Sequence, residues 1–148
     1  MIPNFITHSG SPWPVLPPGI HDATLTEVYD RFVTNDKRKI LYQGMMQGLD
    51  NIFKSGCPQI FLDGSYVTEK PLPNDYEICW DGRFVDPNLL DPVFLDFSRG
   101  TLPQKNKYGG EYFPSSWIET GSGKPFLEFF QTDKQTGNPK GIIRITKP

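Results

Sequence analysis

A chain of 148 residues is long enough for one domain with a real core, and its 11 Phe, 6 Tyr and 3 Trp predict that this core is largely aromatic. A net charge of −2 without any block of like charges excludes a dedicated basic surface for nucleic acid. No apolar stretch reaches the roughly 18 residues of a membrane helix. The N-terminus has no basic-then-apolar leader pattern, so a soluble, cytoplasmic protein with no membrane partner is expected.

Residues 1–20 carry Pro3, Pro12, Pro14, Pro17 and Pro18, which forbid a helix and predict an extended arm anchored by Trp13, Val15 and Leu16. Thr24-Leu25-Thr26-Glu27 has the form of a capping box, opening a short helix that runs to about Phe32. Asn35 can cap a second helix, residues 36–54, in which Ile40, Leu41, Met45, Leu49, Ile52 and Phe53 recur at helical spacing. Gly44 and Gly48 share its apolar side, which predicts close packing on a sheet, and Ser55-Gly56 ends it.

Residues 58–63 read as a strand, and a loop containing Pro71 and Pro73 delivers the chain into a second one, residues 75–80. Alternation at Val93, Leu95 and Phe97 predicts a third strand over 93–97, and 98–123 reads as loop, with a turn at Ser98-Arg99-Gly100. Pro125 suits the first turn of a helix that presents Phe126, Phe129 and Phe130, and residues 141–146 form a last strand after the turn at Gly137-Asn138-Pro139. Strict βα repetition is absent, so the expected fold is α+β, a small mixed sheet packed by helices in a single domain spanning 1–148. Cys57 and Cys79 form no CxxC pair and are expected to be buried, reduced thiols.

Chemistry concentrates where Ile60-Phe61-Leu62-Asp63 runs into Gly64-Ser65 and the next strand opens with Asp75-Tyr76-Glu77-Ile78. On a strand, residues i and i+2 share a face, which puts Asp75 and Glu77 side by side. Two such carboxylates repel each other unless a cation joins them, and Mg²⁺ or Mn²⁺ prefers hard oxygen ligands of this kind. A Gly-Ser turn offers backbone N–H groups and a hydroxyl to phosphate.

This order resembles the nucleotidyltransferase superfamily, in which a Gly-Ser turn precedes an acidic pair on the next strand and a third acid follows on a later one. More narrowly, Leu16-Pro17-Pro18-Gly19-Ile20-His21, Asp63-Gly64-Ser65-Tyr66-Val67-Thr68, Pro73-Asn74-Asp75-Tyr76-Glu77 and Lys140-Gly141-Ile142-Ile143-Arg144-Ile145 are similar to short, minimal nucleotidyltransferase-like proteins of bacteria and phage. The resemblance implies a nucleotidyltransferase-like fold and Mg²⁺- or Mn²⁺-dependent transfer from an NTP to a protein, RNA or small-molecule acceptor. The setting it implies is toxin–antitoxin or phage defence, with an acceptor macromolecule or partner protein. It further implies that Asp75, Glu77 and a third carboxylate, Asp96, are catalytic and metal-binding, with Glu111 as runner-up. Gly64 and Ser65 would hold phosphate, joined by Lys70.

Two departures stand out: the pair is Asp-x-Glu rather than Asp-x-Asp, and Tyr66-Val67-Thr68 replaces the small-Arg-Gly pattern after Gly-Ser. The alternative is therefore a non-catalytic interaction protein that keeps the fold. Lys105 and Lys107 read as solvated, and Asp63 as a carboxylate bonding its own turn. His8 and His21 have no nearby nucleophile or cysteine partner, which speaks against a hydrolase triad or a zinc site.

Overall fold

The computed structural model describes residues 1–148. Four helices and a five-stranded mixed sheet make an α/β domain. The first strand, β1 (Gly19–Asp22), grows out of the proline-rich arm. Helix α1 (Leu25–Phe32) begins at Thr24 with both halves of the capping box formed, and α2 (Asp36–Lys54) begins at Asn35, whose side chain accepts the Arg38 N–H. Strand β2 (Gln59–Asp63) leads through a 3-10 turn, Ser65–Val67, to β3 (Tyr76–Trp80). After a second 3-10 turn, Pro92–Leu95, come β4 (Ser98–Thr101), α3 (Leu102–Tyr108), β5 (Gly110–Pro114), α4 (Phe126–Phe130) and β6 (Gly141–Thr146).

The sheet order is β1-β6-β2-β3-β5, with β4 outside it. β2 runs antiparallel to both its neighbours, β3 and β6, whereas β1 pairs with β6 and β5 with β3 in parallel. Alternating residues divide the sheet into two faces. Ile60, Leu62, Tyr76, Ile78, Tyr112, Ile143 and Ile145 join the main core with α1 and α2 residues such as Val28, Phe32, Met45 and Leu49. Phe61, Cys79 and Ile142 face the other way, under Phe130 and the aromatic residues around α4. Cys57 and Cys79 are buried free thiols, and burial pushes the Cys57 thiol up to about 11.

The helix glycines are explained by contact. A methyl on Gly44 would overlap the Tyr108 carbonyl, and one on Gly48 would overlap the Tyr112 hydroxyl, so α2 lies directly on α3 and β5. A ring cluster fills the space between them: Tyr76 donates to the Tyr108 carbonyl at 2.9 Å and meets the Tyr112 hydroxyl at 2.6 Å.

Three expectations are corrected. Residues 93–97 are not a strand: Pro92 starts a 3-10 turn, Asp91 caps it by accepting the Val93 N–H, and Asp96 closes it. The span 98–123 is not mainly loop but holds α3 and the sheet strand β5, with Gly109 ending the helix at a positive φ of 89°. The end of the arm, 19–22, is an edge strand, because β6 offers a free parallel edge there. No helix is long and apolar enough to cross a membrane.

Candidate functional site

Gly64 takes φ 89° and ψ −172°, a conformation open to glycine alone, so the chain leaves β2 in a sharp bend and enters the 3-10 turn at Ser65. A side chain at position 64 would also crowd Glu77, whose Cγ lies 3.3 Å from where a Cβ would sit. Asp75 immediately precedes β3 and Glu77 lies within it. Gly64, Ser65, Asp75 and Glu77 line one cavity of about 270 Å³, walled by Trp13 of the arm and by Lys134 and Lys140 of the 131–140 loop. No protein group bonds the Ser65 hydroxyl; the Ser65 carbonyl instead holds the turn by accepting the Thr68 N–H and hydroxyl.

Strand register builds the acidic part of this cleft. Asp63 stands opposite Glu77 on the antiparallel side, and Glu111 stands beside Glu77 on the parallel side. The three carboxylates form a row across β2, β3 and β5 on the face away from α2. Asp63 is only 2 % exposed, and burial raises its pKa against the opposing pull of Lys140. Burial, followed by the neighbouring Asp63 charge, lifts Glu77 to about 7.

Each carboxylate around the turn has a lysine. Lys140 lies 3.0 Å from Asp63, Lys105 of α3 lies 3.1 Å from Asp75, and Lys134 lies 3.8 Å from Glu77. The lysine loop is itself tethered, since the Ser11 hydroxyl of the arm donates to Asp133 at 2.7 Å. A deeper support comes from Arg38, 2 % exposed, whose guanidinium donates to the carbonyls of Phe32, Tyr66, Thr68 and Lys70 and lies 5.0 Å from the Tyr66 ring centroid. It thereby fixes the segment that follows Gly64-Ser65.

Two of the residues picked from the sequence lie elsewhere. Asp96 is a turn acid, its carboxylate accepting the Ser98 N–H at 3.1 Å and hydroxyl at 2.6 Å, which holds its pKa below the usual range. Glu111 is the carboxylate in line with Glu77, and the Thr101 hydroxyl donates to it at 2.6 Å. Lys70 lines a separate cavity with Arg31, Arg38 and Thr68. Lys105 and Lys107 are exposed, as expected, but lie on α3 rather than in a loop, and each is paired, Lys105 with Asp75 and Lys107 with Asp91. Lys134 and Lys140 were missed because nothing in their sequence neighbourhood tells which way the 131–140 loop folds. The sequence marks Asp63 only as a turn acid, because the 64–75 connection is too long to reveal its register with Glu77. A larger cavity of about 650 Å³ surrounds Trp80, Asp81 and Arg83 at the far end of β3, and there the Asp81 charge is already closed by Arg83 at 2.6 Å.

Oxygen donors of this kind suit a hard divalent cation. The Glu77 carboxyl is raised chiefly by burial and then by the Asp63 charge, with Lys134 and Lys140 pulling the other way. As the side chains stand, no three of them form a ready-made cage, and a lysine lies beside each of Asp63, Asp75 and Glu77. By donor chemistry Asp75 and Glu77 would hold the ion, with Asp63 and Glu111 flanking Glu77.

No curated protein and no solved structure matches the chain. A family of unknown function (DUF6932) matches residues 10–146, nearly the whole chain. The protein belongs to that family.

Proposed function

We propose that the cleft binds a nucleoside triphosphate and transfers its nucleotidyl group to an acceptor, within a nucleotidyltransferase-like fold. The observation that carries this reading is the convergence of the Gly64-Ser65 turn, the Asp75/Glu77 pair and two lysines on one cavity. The Ser65 hydroxyl and turn backbone would hold the β- and γ-phosphates, and Lys134 and Lys140 would neutralise them on exchanging carboxylate for phosphate. A divalent ion at Asp75 and Glu77 would supply charge neutralisation at the reacting phosphate. The acceptor forms a bond to the α-phosphorus, the bond to the bridging oxygen breaks, pyrophosphate leaves, and the acceptor proton passes to solvent. Little covalent work falls to the protein, so rate comes from positioning and charge.

A second reading has its own support. Lysines already neutralise Asp63, Asp75 and Glu77, which suits a non-catalytic protein that binds nucleotide or a partner without turnover. Pyrophosphate release separates the two. Purified protein incubated with each NTP, Mg²⁺ or Mn²⁺, and RNA or protein acceptors should release pyrophosphate with at least one combination. The Asp75→Asn variant should lose that release. Nucleotide binding with no release in any combination favours the non-catalytic reading.

A further inference from the structure

Beside the acid row lies a second cavity of about 520 Å³, sharing Glu77 and Lys134 with the first. Its wall is a column of rings. Phe97 stacks on Phe113 at 5.8 Å and Phe113 on Phe126 at 4.2 Å, both within 10° of parallel. Trp117, 47 % exposed, closes one side 5.7 Å from Phe97. These half-buried stacked rings line the cavity with apolar surface that suits a planar apolar body.

The polar lining has a sign. Glu77, Glu111 and Glu119 contribute carboxylates, and Lys134 is the one cation among the lining residues. Glu119 is spent on its own loop, accepting the Gly121 and Ser122 N–H groups, while Glu111 has a hydroxyl partner but no ion-pair partner. The molecule also supplies an occupant. The Lys134 ammonium lies 5.4 Å from the Phe129 ring centroid and 3.8 Å from the Glu77 carboxylate, held by a ring face and a charge together. That side chain is 61 % exposed and can swing out.

We propose that this pocket binds an organic cation with a flat apolar body, of the arylalkylamine class. Its ring lies along the Phe97–Phe113–Phe126 column, and its ammonium takes the place between Glu77 and Phe129 where Lys134 now lies, with Glu111 next to Glu77 on the neighbouring strand. Both halves are needed: the rings favour any aromatic body, and the carboxylates select the cation over neutral or anionic isosteres. A molecule seated here adjoins the acid row, and its binding does not rest on the function proposed above.

The test uses the full chain at pH 7, without nucleotide or metal, and three probes of one shape: 2-phenylethylamine, 2-phenylethanol and 3-phenylpropionate. Calorimetry and Trp117 emission should report amine binding at least about tenfold tighter than the alcohol, with no binding of the propionate. Lys134→Ala should tighten amine binding by removing the internal occupant. Glu111→Gln should weaken the amine severalfold and leave the alcohol unchanged, and Trp117→Ala should weaken both. Equal binding of amine and alcohol, or no binding of either by protein with a native circular dichroism spectrum, overturns the proposal. A parallel NTP titration keeps the readings apart. Nucleotide binding without amine binding sinks only the cation pocket, and amine binding without nucleotide binding sinks only the transfer reading.

Discussion

Glu77 is squeezed from both sides of its strand, by Asp63 across the antiparallel register and by Glu111 across the parallel one. Burial and the Asp63 charge bring it to about 7, well above an ordinary glutamate. The sign of the consequence follows from proton counting. Between about pH 4.5 and 7 the folded chain holds a proton that the unfolded chain has lost, so stability falls as pH rises through that window and levels off above it. Glu77→Gln removes the penalty. It should raise stability by about 1–3 kcal/mol at pH 8 and show little gain at pH 5, checked by urea unfolding at both values. Lys140→Met does the reverse, because it strands the buried Asp63 without its cation. It should cost about 3 kcal/mol at pH 8, the usual scale for breaking a buried pair, with a smaller loss as pH falls, because burial already favours the protonated form of Asp63. Asp75 and Glu77 were legible as a pair because a strand period of two needs no tertiary knowledge. Lys134, Lys140 and the register of Asp63 were not, because long connections bring them in.

Helix α2 shows how far pattern alone can reach. Its cap, length and glycine face are all legible in local sequence, and the structure adds what the glycines touch: the Tyr108 carbonyl and the Tyr112 hydroxyl. Gly44→Ala gains helix propensity worth roughly 1 kcal/mol but forces α2 off α3. The net effect should be a loss of about 1–3 kcal/mol, the overpacking range, seen as a lower melting temperature. An exposed control on the same helix, Asp50→Ala, should change little. Arg38 on the same helix carried no local signal, since its four carbonyl acceptors come from the end of α1 and from residues 66–70. The 93–97 segment misled for a related reason. Its alternation is real, but Pro92 and the Asp91 cap turn the backbone into a 3-10 helix, so an apolar period of two was satisfied without a strand. Strand β5 has no polar/apolar signature in sequence, because Tyr112 faces the main core and Phe113 the second one, so both of its faces carry apolar residues.

Across the whole molecule, the sheet divides labour between its faces. One face is sealed by α1 and α2 and carries most of the core. The other holds the acid row, with the α4 rings on one side and the arm and lysine loop on the other. A mixed sheet packed by helices, expected as α+β, follows from the irregular order of elements, but the edge strand β1 and the folding of the arm against the cleft depend on contacts 122 residues apart in sequence, such as Asp22 with Arg144. Nucleotide binding at this cleft is read by calorimetric titration of wild-type, Ser65→Ala and Asp75→Asn proteins with NTP and Mg²⁺. The wild-type protein should give a saturable isotherm with at least one nucleotide. Ser65→Ala should weaken it roughly fivefold, for one neutral hydrogen bond worth about 1 kcal/mol. Asp75→Asn should abolish the Mg²⁺ dependence. Folded wild-type protein that binds no nucleotide with either Mg²⁺ or Mn²⁺, or an Asp75→Asn variant that binds with unchanged affinity and unchanged metal dependence, would contradict it.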